Sequence, residues 1–339
     1  MIDEYRAFLT QLFGDAAFAD ALASAAARHH RIEQDFRRQL AEACPAVQIR
    51  FPNIALPAPE YLSKNLFSIF LVSILESIGV PEERLHAYGV LVHAIRGVVT
   101  ATDNIVDGEA KGTLHIDMGQ SRIAPNVLLL LLQDGIIHQT LAALSGDAAL
   151  RSRAWQSLMA TVLEILREES GEESAIAAAL TPEELLATIH SFRGGRLFQL
   201  GFVIPEVIEQ ERSEAIARLK EGVFGFGLAI QMLDDLADLA EDVAARNHNL
   251  LRSWIIHRRA DGSWDDAALL AHDPAELATP ELRFPASTRA VVREAAATAA
   301  RGFAALRAQG YPIGPQAEQR FLALLFRIRG VERLLPLAV

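Results

Sequence analysis

Apolar residues recur at spacings of three and four almost from end to end of this 339-residue chain, and this spacing constrains its fold more than any other feature. Such spacing places apolar side chains on one face of a helix, whereas no segment shows the sustained period-two alternation of a half-buried strand. Alanine-rich stretches such as 16–27 and 295–305 add high intrinsic helix propensity. The sequence therefore predicts an all-α protein.

Prolines separate the predicted helices. Residues 45–59 and 261–287 are each predicted to be irregular because they hold several prolines, which lack an amide proton and restrict the preceding residue. Helices are predicted over 3–13, 16–43, 60–78, 81–107, 122–144, 148–169, 182–203, 212–246, 287–309 and 315–335.

The chain is predicted to be a single domain over 1–339, because a helical bundle with one large core reaches this length and 51% of its residues are hydrophobic. Its predicted parts are N-terminal helices over 1–45, a core over 60–250, the irregular insertion over 261–287 and C-terminal helices over 288–339.

Two acidic clusters lie within otherwise apolar helices. One reads Asp-Asn-Ile-Val-Asp from Asp103 to Asp107, and the other reads Asp-Asp-Leu-Ala-Asp from Asp234 to Asp238. Positions i and i+4 share a helix face, so each cluster aims two carboxylates in one direction at a cost of about 0.2–0.5 kcal/mol. A solvated, salt-bridged face is the alternative interpretation of either cluster alone. Carboxylates suit Mg²⁺, which binds a few of them together with substrate phosphates, so the two clusters together predict a metal-assisted diphosphate site.

A basic, glycine-containing segment lies between the two clusters. In Arg193-Gly194-Gly195-Arg196 two arginines flank paired glycines and can present guanidinium groups to a phosphate that approaches the backbone closely. The alternative is a helix break with surface arginines. Gln231 comes shortly before Asp234 and is a candidate either to orient a ligand or to satisfy a buried amide.

The order of these motifs resembles that of the class I isoprenoid synthases, the trans-type polyprenyl diphosphate synthases above all. The family's first motif, DDxxD, resembles the segment that begins at Asp103, with asparagine in place of the second acid. Its second motif, FQxxDDxxD, resembles the segment that begins at Ile230, and its lysine-threonine-glycine motif resembles the segment that begins at Arg193, with arginine in place of lysine. The likeness extends over residues 60–250.

This resemblance implies a bundle of long antiparallel helices around a central cavity, in an isoprenoid-synthase-like homodimer. It implies that Asp103, Asp107, Asp234 and Asp238 ligate Mg²⁺ ions that hold an allylic prenyl diphosphate, and that Arg193 adds a fixed positive charge there. The implied reaction is ionisation of the allylic diphosphate and prenyl transfer to an acceptor. Isopentenyl diphosphate is the usual acceptor in this family.

The chain departs from the family at the sites for its two diphosphate substrates. The arginine pair expected after the first motif is replaced by a segment with a single lysine, Lys111, and the early Gly-Lys-x-x-Arg segment retains only Lys64. Arg96, which precedes the first acidic cluster on the same predicted helix, is a candidate to compensate. The predicted substrate-binding residues are Lys64, Arg96, Lys111, Arg193, Arg196 and Gln231.

Two alternatives to prenyl transfer remain open. A class I terpene cyclase would capture the cation within its own chain and release diphosphate, but the Asn and Ser pattern of many cyclases is absent after Asp234. A non-catalytic partner subunit of a prenyl synthase is favoured by the missing arginines, although such a subunit has little reason to retain both acidic clusters.

The histidines do not form a second candidate metal site. His115, His138 and His190 lack metal-ligand spacing, and a lone histidine is more often packed or solvated than a ligand. His29 and His30 are expected on the surface of an arginine-rich helix.

Charge and cysteine content restrict the location and the partners. A net charge of −11 gives no electrostatic footprint for nucleic acid or for an anionic membrane. The one cysteine, Cys44, excludes an intrachain disulfide, and the acidic N-terminal segment does not resemble a signal peptide. The longest charge-free runs noted, such as 65–75, are shorter than the roughly 18 residues that span a bilayer. We therefore expect a cytoplasmic protein that is not transmembrane.

Overall fold

The structure is a computed structural model that describes residues 1–51, 56–106, 108, 114–116, 118, 121, 123–172 and 178–338. Over these residues the predicted all-α class is confirmed, and the only strands are the two-residue β1 (Ile49–Arg50) and β2 (His115–Ile116), which pair antiparallel. The longer α-helices are α1 (Ile2–Phe13), α2 (Ala16–Ala43), α3 (Ala58–Ser77), α4 (Glu82–Val106), α5 (Ala124–Leu144) and α6 (Ala148–Glu172). After the one-turn α7 (Pro182–Leu185) and a π-helix (Leu186–Arg196) come α8 (Leu197–Ile208), α9 (Ser213–Ala237), α10 (Leu239–Ala245) and α11 (Leu250–Arg258). The chain ends with the short α12 (Asp266–Leu270), α13 (Pro274–Leu277) and α14 (Pro280–Arg283), then α15 (Pro285–Ala308) and α16 (Pro315–Ile328). Two 3₁₀ segments cover Gln210–Arg212 and Glu332–Ala338.

Helix boundaries agree with the prediction where the sequence carries a cap. Helix α2 begins after Asp15, whose carboxylate accepts a hydrogen bond from the backbone N–H of Phe18 (3.1 Å), and it ends just before Pro45. Thr181 and Glu184 form a capping box at the start of α7, where Pro182 takes the first helical position.

Three predicted helices differ from the structure. The helix predicted over 182–203 contains a π-helical segment, and the one predicted over 212–246 is divided at Asp238, a residue type that is poor in helix interiors. The helix predicted over 315–335 ends at Ile328 because Gly330 adopts a φ of +71°, which favours glycine.

The chain forms two compact units, and we describe each by itself. Unit 1 comprises Met1–Leu158, Leu200–Ile216 and Gly310–Pro312, and unit 2 comprises Met159–Gln199, Ala217–Gln309 and Ile313–Val339. The single domain inferred from the sequence stays a prediction.

In unit 1, aromatic side chains pack between α2, α3 and the short segment at 310–312. The Tyr311 ring lies edge-on to those of Phe18 and Phe70, with ring centroids 6.0 and 5.6 Å apart. The Tyr311 hydroxyl is 2.6 Å from the Ser73 hydroxyl oxygen, which satisfies the buried polar end of the tyrosine.

A buried histidine pair also lies in unit 1, so the expectation that His29 is on the surface was wrong. His29 is 1% exposed and His93 is 9% exposed, and their ring centroids are 4.6 Å apart. The His93 ring stacks on Phe36, and His29 Nδ1 is 2.7 Å from the Tyr61 hydroxyl. Burial lowers the pKa of His93 to about 4 and that of His29 well below its usual value. Both rings are therefore neutral in the folded protein at neutral pH.

This burial predicts that acid destabilises the protein. The pKa of His93 in the folded protein lies below the unfolded value of 6.5. The contribution of the neutral ring to the free energy of unfolding is therefore fully present above pH 6.5 and is lost as the pH falls towards 4. We expect His93 alone to lower the free energy of unfolding by about 2 kcal/mol between pH 7.5 and pH 5. Urea unfolding of the wild type and of His93→Phe at both pH values tests this. An equal loss of stability in the two proteins would contradict it.

Helix α5 is long and apolar. By length and composition it meets the criterion for a membrane span, and no other helix in the described parts of the chain does. In the apolar stretch of this helix, 33% is buried inside the structure. Core helices of soluble proteins meet the same criterion. The expectation that the protein is not transmembrane stays a prediction.

Candidate active site

The second acidic cluster lies at the C-terminal end of α9, and its three aspartates differ in how deeply they are buried. Asp235 is 3% exposed, whereas the side chain of Asp234 is 23% exposed and Asp238 is exposed. The backbone N–H of Asp238 still bonds to the carbonyl of Asp234 (2.9 Å), so these two residues remain one helical turn apart. The i, i+4 pair is therefore accessible while the carboxylate between them is not.

The charges of the accessible pair are only partly compensated. Burial raises the pKa of Asp234 to about 7; the guanidinium of Arg329 opposes this shift, and the neighbouring acids Asp235, Asp238 and Asp242 add to it. Arg329 Nε lies 2.9 Å from Asp234 Oδ1. Burial, followed by Glu241 and Asp235, also raises the pKa of Asp238. A further cation at this end of α9 would relieve the remaining repulsion.

The donor set fits Mg²⁺. This ion is commonly held by one or two carboxylates, with phosphates and water completing an octahedron, and Asp234 and Asp238 supply two such carboxylates. Among the residues that the structure describes, no three His, Cys, Asp or Glu side chains form a metal site by themselves.

Asp235 has a different role from its neighbours, because it joins three segments of unit 2. Its Oδ2 atom is 2.8 Å from His190 Nε2 on the π-helix and also accepts a hydrogen bond from the backbone N–H of Leu250. Its carbonyl oxygen accepts from the side chain of Asn249 (2.8 Å), which also donates to Asp242 (2.8 Å) and caps α11. This buried network fixes the π-helix and the start of α11 to the end of α9.

The paired glycines of the basic segment pack against α9. A Cβ atom at Gly194 would lie 2.6 Å from the carbonyl oxygen of Gly227, and one at Gly195 would lie 2.2 Å from the Phe224 ring. A Cβ atom at Gly227 would in turn lie 2.4 Å from the carbonyl oxygen of Gly194. The glycines thus permit contact between two helices, and the inference that they let a backbone approach a phosphate was wrong at Gly194 and Gly195.

The helix break given as the alternative interpretation is absent from this segment, which is a continuous π-helix over Leu186–Arg196. π-Helical turns are rare and occur frequently at functional sites. Arg193 is half-buried and Arg196 is exposed. Arg193 acts electrostatically on His248, which places its charge near the turn that precedes α11.

The first acidic cluster lies at the end of α4 in unit 1. Asp103 is exposed, and Asn104, which replaces the family's second acid, is 7% exposed with its side-chain nitrogen 3.2 Å from Asn126 Oδ1 on α5. Asn104 is thus a packing residue between two helices. Asp107 lies outside the described residues.

The remaining predicted substrate-binding residues are divided between the units. Lys64 is exposed on α3, where its ammonium group lies 3.1 Å from Glu60, and Arg96 is exposed on α4. Lys111 lies outside the described residues. Gln231 Nε2 donates to Asp235 Oδ1 (3.4 Å), so this amide faces the buried network. Unit 2 brings together Gln231, Asp234, Asp238, Arg193 and Arg196, whereas Asp103, Lys64 and Arg96 belong to unit 1.

Sequence reasoning missed three residues of this site. His190 was expected to be an ordinary packed or solvated side chain, yet it pairs with Asp235. Asn249 could have been found as a helix N-cap, because an Asn directly before an apolar helical run is a start signal. Arg329 is distant in the chain from Asp234, and no local pattern pairs them.

No protein-family model and no curated protein sequence matches the chain. Solved structures do match. Geranylgeranyl pyrophosphate synthetase from Pyrococcus horikoshii superposes with a TM-score of 0.60 at 17% identity, over 94% of this chain and 98% of that one. Decaprenyl diphosphate synthase from Rhodobacter capsulatus superposes with a TM-score of 0.57 at 17% identity, over 92% of this chain and 98% of that one. Heptaprenyl diphosphate synthase from Staphylococcus aureus superposes with a TM-score of 0.57 at 14% identity, over 89% of this chain and 98% of that one.

These similarities extend over nearly the whole chain at low identity, so they define its fold. The activity has to be inferred from the residues of the site. The motif order, the all-α architecture and the structural matches agree. The chain has a divergent form of the trans-prenyl diphosphate synthase fold.

Proposed function

We propose that the protein ionises an allylic prenyl diphosphate in an Mg²⁺-dependent reaction and transfers the prenyl group to an acceptor. The observation that supports this most is the pair Asp234 and Asp238, accessible and incompletely neutralised at the end of α9 in a chain of this fold. Asp234 also forms an ion pair with Arg329, which offsets part of its charge.

Each residue has a defined part in this proposal. Asp234 and Asp238 hold the metal, and Arg193 adds a fixed positive charge on the diphosphate side. Bound Mg²⁺ would neutralise the charge that develops on the leaving diphosphate. The motif resemblance implies metal-ligand roles for Asp103 and Asp107 as well. These assignments follow from the motifs.

The apolar core of unit 2 contains a cluster of aromatic rings. Phe226 contacts the rings of Phe198, Phe303 and Phe321, with centroid distances of 5.9, 5.7 and 5.3 Å. Aromatic faces attract cations, and a dry wall keeps water from quenching them. Phe198 lies in the first turn of α8, just after the π-helix that carries Arg193.

The mass of the product distinguishes the possible reactions. Purified protein would be incubated with Mg²⁺ and C10, C15 or C20 allylic diphosphates, with and without isopentenyl diphosphate, and the products identified by mass spectrometry. We expect a longer prenyl chain, formed only with isopentenyl diphosphate. A cyclic hydrocarbon formed without any acceptor would instead establish a terpene cyclase. Turnover of no substrate would indicate a partner subunit.

We also propose that the protein is a homodimer that covers one face of α5. Val127 and Leu131 on this helix, and Ile123 just before it, are spaced by four residues and are 43%, 67% and 59% exposed. Residues with this spacing share a helix face, so the three form one apolar stripe. A second copy of the chain would bury it.

Replacing Leu131 by lysine tests this assembly. A charge on the most exposed residue of the stripe would be buried without a partner in the dimer, so we expect the wild type to be dimeric and Leu131→Lys to be monomeric in light scattering. The control is Gln156→Lys, at an exposed polar position on α6. A monomeric wild type, or a dimeric Leu131→Lys, would contradict the proposal.

A further inference from the structure

Arg329, the residue that ends α16, contacts the second acidic cluster within unit 2. Its Nε atom is 2.9 Å from Oδ1 of Asp234, one of the two carboxylates proposed to hold the metal. Among the residues that the structure describes, no other ion pair involves Asp234 or Asp238. Arg329 is therefore the cation that lies against the candidate metal pair.

The packing of α16 on α9 sets the position of this arginine. The rings of Phe321 on α16 and Phe226 on α9 have centroids 5.3 Å apart. Arg329 follows Phe321 by eight residues, and Asp234 follows Phe226 by eight residues. Residues with this spacing lie near one face of a helix, so the two contacts belong to one interface between helices that run in the same direction.

The backbone on both sides of Arg329 is fixed. Its N–H donates to the carbonyl of Leu325 (3.1 Å), and the N–H of Val331 donates to the carbonyl of Phe326 (2.9 Å). Gly330 makes this turn with a φ of +71°, and both Phe326 and Val331 are buried. The side chain of Arg329 thus extends from a fixed point of the fold.

The contact with Asp234 leaves the hydrogen-bond donors of this guanidinium unused. Nε has no hydrogen-bond partner among the described residues, so Nε and the Asp234 oxygen attract each other by charge alone. The side chain of Arg329 is 33% exposed although Nε itself is buried, so the exposure belongs to its other atoms. A guanidinium carries five N–H donors in a planar fork that matches two oxygens of a phosphate.

The neighbouring arginines of this C-terminal segment are paired differently. Arg327 pairs with Glu332 (3.0 Å) and Arg333 pairs with Glu281 (2.7 Å), and neither acid belongs to the second acidic cluster. Both are ion pairs at the surface, which contribute little to stability. Of these three arginines, only Arg329 is directed to a carboxylate of the candidate site.

We propose that Arg329 is a further binding residue for the diphosphate, and that it contacts oxygens of the phosphate group that shares a metal with Asp234. This inference rests on the proposed function for the metal and for the identity of the anion. A ligand of that metal must lie beside the Asp234 carboxylate, where Arg329 lies as well. Arg329 thereby supplies part of the charge that the missing arginines leave unsupplied. The ligand class is an organic or inorganic diphosphate.

Calorimetric titration with inorganic pyrophosphate in the presence of Mg²⁺ tests the proposal. We expect Arg329→Gln to weaken pyrophosphate binding roughly tenfold to one hundredfold, as loss of a hydrogen bond between charged groups does. Arg329→Lys keeps the charge without the planar fork and should recover part of that affinity. The control Arg327→Gln, at an exposed ion pair on the same helix, should bind pyrophosphate like the wild type. Equal affinities in Arg329→Gln and the wild type would overturn the proposal.

A spectroscopic measurement separates direct contact from mere support of Asp234. In ¹H–¹⁵N spectra of the arginine Nε–H groups, the signal missing from Arg329→Lys identifies Arg329. A metal that competes for Asp234 changes this signal by itself, and pyrophosphate added with Mg²⁺ should shift it further. A signal that is identical with Mg²⁺ alone and with Mg²⁺ and saturating pyrophosphate overturns the proposal.

The outcomes also separate this proposal from the proposed function. If the wild type binds pyrophosphate through Arg329 but releases none from prenyl diphosphates, the inference stands and the function is wrong. If the wild type releases pyrophosphate, and Arg329→Gln keeps its KM and its pyrophosphate affinity, the function stands and the inference is wrong. Absence of pyrophosphate binding by the wild type in the presence of Mg²⁺ overturns the inference whatever the activity.

Discussion

Replacing Asp234 by asparagine is expected to slow pyrophosphate release from an allylic diphosphate by about 100- to 1,000-fold, the usual cost of losing one group that stabilises transition-state charge. Asparagine keeps the size of the side chain but removes the negative charge that would bind Mg²⁺. The rate at saturating Mg²⁺ and isopentenyl diphosphate would be measured by a coupled pyrophosphate assay. Thermal unfolding of Asp234→Asn, measured in parallel, shows how much stability is lost with the ion pair between Asp234 and Arg329.

The matched control for this change is Glu241→Gln. Glu241 belongs to the same acidic segment and is exposed, but it is not one of the proposed metal ligands. We expect Glu241→Gln to retain the wild-type rate within a few-fold. Equal rates for Asp234→Asn and the wild type would show that the second acidic cluster does not participate in the reaction.

A second large effect is expected at the contact between the π-helix and α9. In Gly194→Ala the new methyl group would lie 2.6 Å from the Gly227 carbonyl oxygen and 3.0 Å from Gln231 Cβ, so the two helices must separate. Overpacking of this kind costs about 1–3 kcal/mol. Separation also displaces Arg193, and a misplacement of about 1 Å can cost on the order of 100-fold in rate. Chemical denaturation and the pyrophosphate assay measure the two effects.

Gly146→Ala is the control for this substitution. A Cβ atom at Gly146 has no neighbour within 4 Å, and the residue does not require a positive φ. Its free energy of unfolding should stay within about 0.5 kcal/mol of the wild type, as for most surface substitutions. If Gly194→Ala were as stable and as active as Gly146→Ala, the close packing of the π-helix on α9 would be refuted.

The fold class could be predicted from the sequence because apolar periodicity, caps and prolines are local signals. Helix α2 illustrates this, since Asp15 and Pro45 mark both of its ends. The π-helix could not be predicted, because it depends on contacts such as Gly194 against Gly227 that are set by tertiary packing. The burial of His29 between α2, α3 and α4 is likewise a property of the packed bundle.

The candidate site was predictable only in part for the same reason. The i, i+4 spacing of Asp234 and Asp238 is local, and their accessibility agrees with it. The pairs His190–Asp235 and Arg329–Asp234 join distant positions of the chain, so no single-sequence pattern indicated them. The homodimer and the cytoplasmic location stay predictions.

The central claim is that this chain is an enzyme acting on allylic diphosphates through a metal. Its most direct test is pyrophosphate release by the wild-type protein from geranylgeranyl diphosphate together with isopentenyl diphosphate, measured with Mg²⁺, then with excess EDTA, then after Mg²⁺ is restored. We predict release that stops with EDTA and returns with Mg²⁺. Release at the rate of buffer alone under all three conditions, repeated with C10 and C15 substrates, would contradict the claim.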